Sequence, residues 1–365
     1  FPAGPILGGW LLGRFWWGSV FLVNVPVVVL ALLATVAWLP ESRGARTGRL
    51  DVAGVITSSV GLTAITYGVI HAGRHGWGDS LTVAALTAGA VALAAFAGWT
   101  RRADSPLVDP ALFGRAGFSV GTALGTAVNF VMFGVLFAVP QYFQAVLGTD
   151  AMGGGVRLLP LIGGMLAGAL VADRLARLLG VPNVAAAGCG LLAVGLFAGA
   201  TTGAGGGYGP IAAWTAVCGA GLGFVMPTAM DAALGTVAPG ESGVGSAVIQ
   251  AIRMVGGSFG AAILGSVLNA GYEGRLDVAG LPPATAGAVR DGVYGGLEVA
   301  RRTGSGRLAT SVRAAFTHGM DEMLVVCGCL AAVGALAALA FLPRGGAPVG
   351  PVRSDRQESE HEPAS

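Results

Sequence analysis

The chain has 365 residues, 54% hydrophobic and only 11% charged, where an ordinary soluble domain carries about a quarter charged. That balance excludes a soluble globular fold and describes a membrane protein with many spans. The formal net charge of +2 is reached without a single Lys. Within these residues this excludes a P-loop nucleotide site and a Schiff-base cofactor, which need a Lys amine, and it leaves no basic footprint for nucleic acid.

In chain order, a short apolar segment at 1–15 precedes nine apolar runs at 17–38, 52–72, 81–100, 117–140, 152–172, 183–202, 208–230, 244–269 and 316–342. Each run is long enough to cross about 30 Å of hydrocarbon as a helix rising 1.5 Å per residue. In the first segment Gly4/Gly8 and Gly9/Gly13 lie four apart, a spacing that presents a bare strip to a neighbouring helix. Pro5 removes a backbone donor there and predicts a local kink. The same glycine spacing at Gly121/Gly125, Gly164/Gly168, Gly195/Gly199, Gly219/Gly223 and Gly256/Gly260 predicts helix packing. Cys189, Cys218, Cys327 and Cys329 all fall in apolar runs, where thiols act as small hydrophobes. Cys327-Gly328-Cys329 lacks the His partners of a metal site.

Gly4-Pro5-Ile6-Leu7-Gly8-Gly9 resembles the G-P-x-x-G-G signature in the fifth span of major facilitator antiporters. Trp17 to Pro26 resembles the W-x-x-x-F-x-x-N-V-P that opens the sixth span in the fourteen-span drug:proton antiporter branch. Leu50-Asp51-Val52-Ala53-Gly54 and Gly76-Trp77 resemble the two extra spans of that branch, although Asp51 also suits a plain helix N-cap. Pro106-Leu107-Val108-Asp109-Pro110 resembles the linker into its second bundle. The resemblance implies an all-α major facilitator fold with about ten membrane helices, spans five to fourteen, and four more spans expected upstream. It divides the chain into the end of a first bundle (1–38), two additional helices (39–105), a second six-helix bundle (106–343, with an outer loop 270–315) and a disordered cytoplasmic tail (344–365).

Within the second bundle, Pro140 to Gly148 followed by Gly155-Val156-Arg157-Leu158-Leu159-Pro160 resembles the family's outer loop and tenth span. Ala169 to Arg177 is similar to a worn copy of the facilitator G-x-L-a-D-r-x-G-r loop, keeping Asp173, Arg174 and Arg177 but not the glycines. Those charges form either a relay that locks the cytoplasmic face or a solvated anchor. Gly240-Glu241-Ser242-Gly243 and Arg253-Met254-Val255-Gly256-Gly257 resemble the thirteenth span with its R-x-x-G-G core. Arg253 sits about ten residues into an apolar helix, where an unpaired charge costs at least about 2.5 to 3.5 kcal/mol, so it should face water or an acid. Gln250 lies one turn away. Asp231 is the nearest acid in sequence, either as a buried partner or already at the cytoplasmic interface. Asp321 and Glu322, about two turns into a last helix expected to start near 312, either titrate or snorkel.

The resemblance implies proton-driven export of amphipathic small molecules, cationic ones among them, with the proton gradient as energy source and no cofactor. Small-molecule substrate, protons and the lipid bilayer are the implied partners, and the implied location is the plasma (inner) membrane. Asn129, Phe130, Phe133 and Phe137 share one helix face as a candidate substrate path, or else as a packing stripe, with Gln141 and Gln144 at the outer mouth. Arg253, Gln250, Asp231, Asp173 and Arg174 are the candidates for coupling or gating. A facilitator-fold uptake transporter and a non-transporting membrane scaffold are the alternatives.

Arginine sets the orientation. The loops 39–51, 101–116, 173–182 and 231–243 with the tail after 342 hold eleven Arg, and the alternate short loops only Arg14 and Arg74. The first set is therefore cytoplasmic, with the six Arg of 270–315 partly offset by Glu273, Asp277, Asp291 and Glu298. In a background with the four native cysteines replaced, single Cys probes at Ser42 and Ser105 are expected to react only from the cytoplasm and one at Thr285 only from outside. Labelling of Ser42 from outside intact cells overturns the orientation.

Overall fold

In hydrocarbon every backbone donor and acceptor must be satisfied inside the protein, so long apolar runs fold as helices. The computed structural model describes residues 3–38, 51–102, 111–203, 207–237, 242–278 and 281–343, and all of its regular structure is helical. The expected linker 106–110, the labelling positions Ser42 and Ser105, Gly240-Glu241 and the tail 344–365 lie outside the described residues.

The first group is α1 (Ala3–Arg14), the single turn α2 (Ser19–Leu22), α3 (Asn24–Trp38), α4 (Val52–His75) and α5 (Ser80–Thr100). The second comprises α6 (Ala111–Gly114), α7 (Ala116–Ala145), α8 (Ala151–Arg157), α9 (Leu159–Leu179), α10 (Val181–Gly199), α11 (Tyr208–Leu234), α12 (Ser242–Arg275), α13 (Pro283–Arg290), α14 (Val293–Thr303) and α15 (Gly306–Phe341). Among the described residues nine segments are long and apolar enough to cross a membrane, α2 with α3 and α8 with α9 each counting as one. The protein is an all-α polytopic membrane protein.

Local chemistry explains several of the sequence motifs. Asp51 caps α4 by accepting from Gly54 N at 2.8 Å, and its carboxylate also accepts from Trp99 Nε1 at 2.9 Å, which ties α4 to α5. A Cβ at Gly54 would run into that carboxylate, which is why the D-x-x-G spacing needs glycine. Gly76 ends α4 at φ +90°, and Asp79 then caps α5 through Leu81 N and Thr82 N. Those two backbone donors hold the Asp79 carboxyl below its usual range. Pro5 falls within α1.

The outer segment differs most from its expectation as a loop. α12 runs on to Arg275, α15 begins at 306 rather than near 312, and α13 and α14 fold against their ends. Val289, Val293 and Ala300 are buried there, while Tyr272 Oη donates to Val289 O at 2.7 Å. Three of the six arginines of 270–315 meet acids: Arg301 and Arg302 flank Glu298, and Arg307 lies 3.8 Å from Asp277. Bonds from Arg301 and Arg302 lower the Glu298 carboxyl to about 2 from 4.5. The clamp is therefore complete above about 4.5 and is lost as pH falls through about 2. α9 also continues past the expected end at 172, which leaves Asp173, Arg174 and Arg177 on its last turns rather than in a loop.

The membrane helices meet at small residues. Gly164 and Gly168 of α9 abut Ala216 and Ala220 of α11, and Gly219 and Gly223 of α11 abut Leu161, Met165 and Gly168 of α9. Gly195 and Gly199 receive Cys218 and Trp214, so α10 packs equally closely on α11. Gly256 and Gly260 of α12 lie against Thr126 and Phe130 of α7. Four of the five glycine pairs read as packing positions sit at such contacts; in the fifth, Gly121 abuts Ala229 and Ala233 of α11 while Gly125 meets only the stem of Arg253. Gly219→Leu is expected to destabilise the protein by about 3 kcal/mol or more through overpacking and to lower its melting temperature in detergent by several degrees. Gly209→Leu, on the same helix with no atom within 4 Å of a new Cβ, should melt like the wild type.

Candidate functional site

α11 and α12 lie side by side on α7, with a loosely packed seam, the α7–α11–α12 cleft, between them. Both helices pack along α7 but scarcely touch each other. Arg253 spans this gap from α12. It sits eleven residues after Ser242, about 16 Å along the helix axis and well inside the apolar run of α12. Gly125 makes room for its stem: a Cβ there would sit 3.4 Å from Arg253 Cδ. The guanidinium Nη2 reaches Met226 Sδ on α11 at 2.8 Å, and Nε is buried without a partner.

The expected acid is not there. Asp231 lies in the last turn of α11, exposed, where its carboxylate faces Asp173 of α9 rather than Arg253. Of the two readings of Asp231, the structure adopts the position at the helix end, because the turn of α11 after Pro227 carries it past the depth of Arg253. Among the described residues no ion pair joins Asp173 to Arg174 or Arg177. Gln250 is exposed one turn before Arg253 on α12.

The α7 stripe faces α12. Asn129 is 1% exposed and its Nδ2 donates to Arg253 O at 2.6 Å. Asn129 and Phe133 both lie over Gly257, Phe130 places its backbone against Gly260, and Phe137 lies over Gly265. Phe130 and Phe133 are half-buried and Phe137 is exposed. In this conformation the aromatics serve as the packing surface for the glycine strip of α12. Gln141 Nε2 turns back to Phe137 O at 2.9 Å, and Gln144 Oε1 accepts from Tyr294 Oη of α14 at 3.5 Å. Arg313 Nε donates to Ala145 O at 3.2 Å. The C-terminal end of α7 is thus joined to α14 and α15, an arrangement with no signal in the sequence beyond the polar character of Gln144.

Two polar positions complete the picture. Thr122, 5% exposed on α7, keeps a buried Oγ1 with no partner, and nothing in its sequence surroundings marks it. It stands one turn before Gly125 and Thr126, so helical spacing places it on the side that meets α12. On α15 the two acids part company: Glu322 is exposed and lies 3.2 Å from His318 Nε2, whereas Asp321 holds one buried, unpartnered oxygen. Two apolar voids, one between α7, α10 and α15 and one between α7, α9 and α11, measure about 10 and 20 Å³. Each has room for no more than a water molecule.

At the other end of the chain, α1 touches α8 at Gly9. A Cβ on Gly9 would sit 2.8 Å from Met152 Cα, whereas at Gly4, Gly8 and Gly13 it would meet nothing within 4 Å. Pro5 follows Gly4 in the same first turn.

These features, a bundle of membrane helices joined at glycine strips around a cleft holding a buried cation, coincide with a family match over residues 1–261. The chain belongs to the Major Facilitator Superfamily. Its family is one of membrane transporters, not of enzymes. It is 35% identical to the tetracenomycin C resistance and export protein of Streptomyces glaucescens, over 92% of this chain and 65% of that protein. It is 30% identical to the multidrug efflux pump LfrA of Mycolicibacterium smegmatis, over 93% of this chain and 68% of the pump. To the multidrug resistance protein Stp of Mycobacterium tuberculosis it is 29% identical, over 75% and 51% respectively. The chain thus spans between half and about two thirds of the length of these relatives.

The glycines of the opening motif are not equivalent in this facilitator chain. In the intact protein Gly9→Leu should drive α1 off α8 and reduce dye efflux at least about tenfold while the protein still reaches the membrane, because a backbone contact cannot yield. Gly8→Leu should retain most efflux, and equal loss in both variants would remove the α1–α8 contact as the reason.

Proposed function

We propose that the protein exports amphipathic small molecules across the plasma membrane in exchange for protons. The observation that carries this reading is the likeness over most of the chain to proteins named for drug export and efflux. In this reading the seam between α11 and α12 over α7, where the two helices scarcely touch, opens as the substrate groove.

In this reading the chain supplies the end of a first bundle (1–38), two additional helices (39–105) and a second bundle (106–343). Transport proceeds by alternating access: the two bundles rock about a site near the midplane, and proton and substrate binding bias opposite conformations. Arg253, with Gln250 beside it and Asn129 holding its backbone, occupies the depth at which such a site is built. Asp173, Arg174 and Asp231 gather at the cytoplasmic ends of α9 and α11, where closure of that face would bring charges together. Gly4, Pro5, Gly8 and Gly9 belong to the helix whose resemblance singles out antiporters. The proton gradient is the energy source, and no cofactor is required.

The intact protein in liposomes tests this directly. Addition of a transported dye should change the luminal pH, and collapse of the pH gradient with an ionophore should abolish dye accumulation. Accumulation that survives collapse of the gradient overturns proton coupling in favour of facilitated diffusion, and absence of dye movement overturns export in favour of a scaffold.

A further inference from the structure

We propose that the α7–α11–α12 cleft recognises an anionic group, a sulfonate, carboxylate or phenolate borne by an aromatic substrate, with Arg253 as counter-charge and Thr122 Oγ1 as a second donor. The proposal rests on the export reading only for the source of the anion. Its support is a mismatch of partners. A guanidinium carries five N–H donors in a planar fork suited to an oxyanion. Arg253 satisfies one of them with a thioether, a weak acceptor, and leaves Nε buried and unpaired. Among the described residues no carboxylate pairs with it. Thr122 adds a second unpaired hydroxyl on the facing strip of α7. Two buried donors lacking acceptors on facing helices describe a place for an acceptor, and an anion gains there a charge-assisted bond that the sulfur does not give.

The geometry around the pair suits an aromatic body. Gly125 borders the Arg253 stem, and Phe133, about two turns beyond it on α7, lays its ring over Gly257, where a planar group could take its place. A cationic substrate would instead bring its charge against Arg253 in a medium of low dielectric. This site therefore selects against the cationic compounds that the family resemblance implied.

Anilinonaphthalene sulfonate and phenylnaphthylamine share one fluorescent skeleton and differ by the sulfonate. Their binding to the purified intact protein, read as fluorescence enhancement, is expected to favour the sulfonate by about tenfold or more, the range of a hydrogen bond to a charged group. Arg253→Gln should erase that ratio, Arg253→Lys should keep part of it, and Thr122→Val should lower it. A preference for phenylnaphthylamine in the wild type overturns the proposal. So does a ratio unchanged in Arg253→Gln, or equal loss of both probes in that variant, which assigns Arg253 to contacts within the protein. If Arg253→Gln fails to fold, Thr122→Val and Arg253→Lys decide, and an unaltered ratio in Thr122→Val removes the second donor. Sulfonate binding without movement into everted vesicles upholds the anion site and overturns export. Movement of both probes without preference does the reverse.

Discussion

Inside a bilayer the hydrophobic effect does not press helices together, so the approach of one backbone to another is what the structure depends on. Glycine sets that distance here. Where Gly164 and Gly168 meet Gly219 and Gly223, a side chain on either helix would strike the backbone of the other, so α9 and α11 are held by dispersion contacts at the shortest range available. The same logic joins α10 to α11 and α7 to α12. Since α11 and α12 spend their small faces on α9, α10 and α7, they have no such face for each other. The cleft is the consequence.

That constraint also accounts for the buried cation. Arg253, Gly256, Gly257 and Gly260 lie along α12 with the spacing of a helix that must both approach α7 and carry a charge past it. The glycines bring the backbones together, and Gly125 on the opposite side admits the arginine stem. Asn129 fixes the α12 backbone at Arg253 through its amide, which holds the guanidinium at one depth. A cation placed so deeply without an acid is costly by at least about 2.5 to 3.5 kcal/mol. Such a cost persists in a folded protein when a partner arrives during its working cycle or when the cleft admits water.

The spans were legible because hydropathy and length are properties of the chain itself: α4, α5 and α10 begin and end within a few residues of their apolar runs. The glycine pairs were legible for a related reason, since four-residue spacing defines a helix face before any partner is known. The outer helices were not. α13 and α14 are short and amphipathic, and their stability comes from Tyr272, Val312 and the ends of α12 and α15, contacts that join residues far apart in sequence. The partner of Arg253 was illegible for the same reason. Sequence proximity pointed to Asp231, but the turn of α11 beyond Pro227 carries it to the helix end, and the atom that meets Arg253 is a sulfur on Met226. In the opening motif four glycines look alike in sequence, and only the position of α8 separates Gly9 from the others.

The aromatic stripe of α7 illustrates how packing and selectivity use one surface. Phe133 and Phe137 lie over Gly257 and Gly265, contacts made of a flat ring on a bare backbone, which fix distance but little else. Rings and glycines impose few directional demands, so planar groups of different outline meet them at similar energy. Directional demand comes from Arg253 on α12 and Thr122 on α7, each with a buried, unpaired donor. On the anion-site proposal, a surface so divided tolerates variation in the body of a ligand and discriminates on the sign of its charge. A misplaced methylene is worth only about 1 to 3 kcal/mol, whereas a like charge brought into a dry cleft meets a stronger repulsion. Breadth of substrate and strictness of charge are therefore compatible outcomes of the same helix contact.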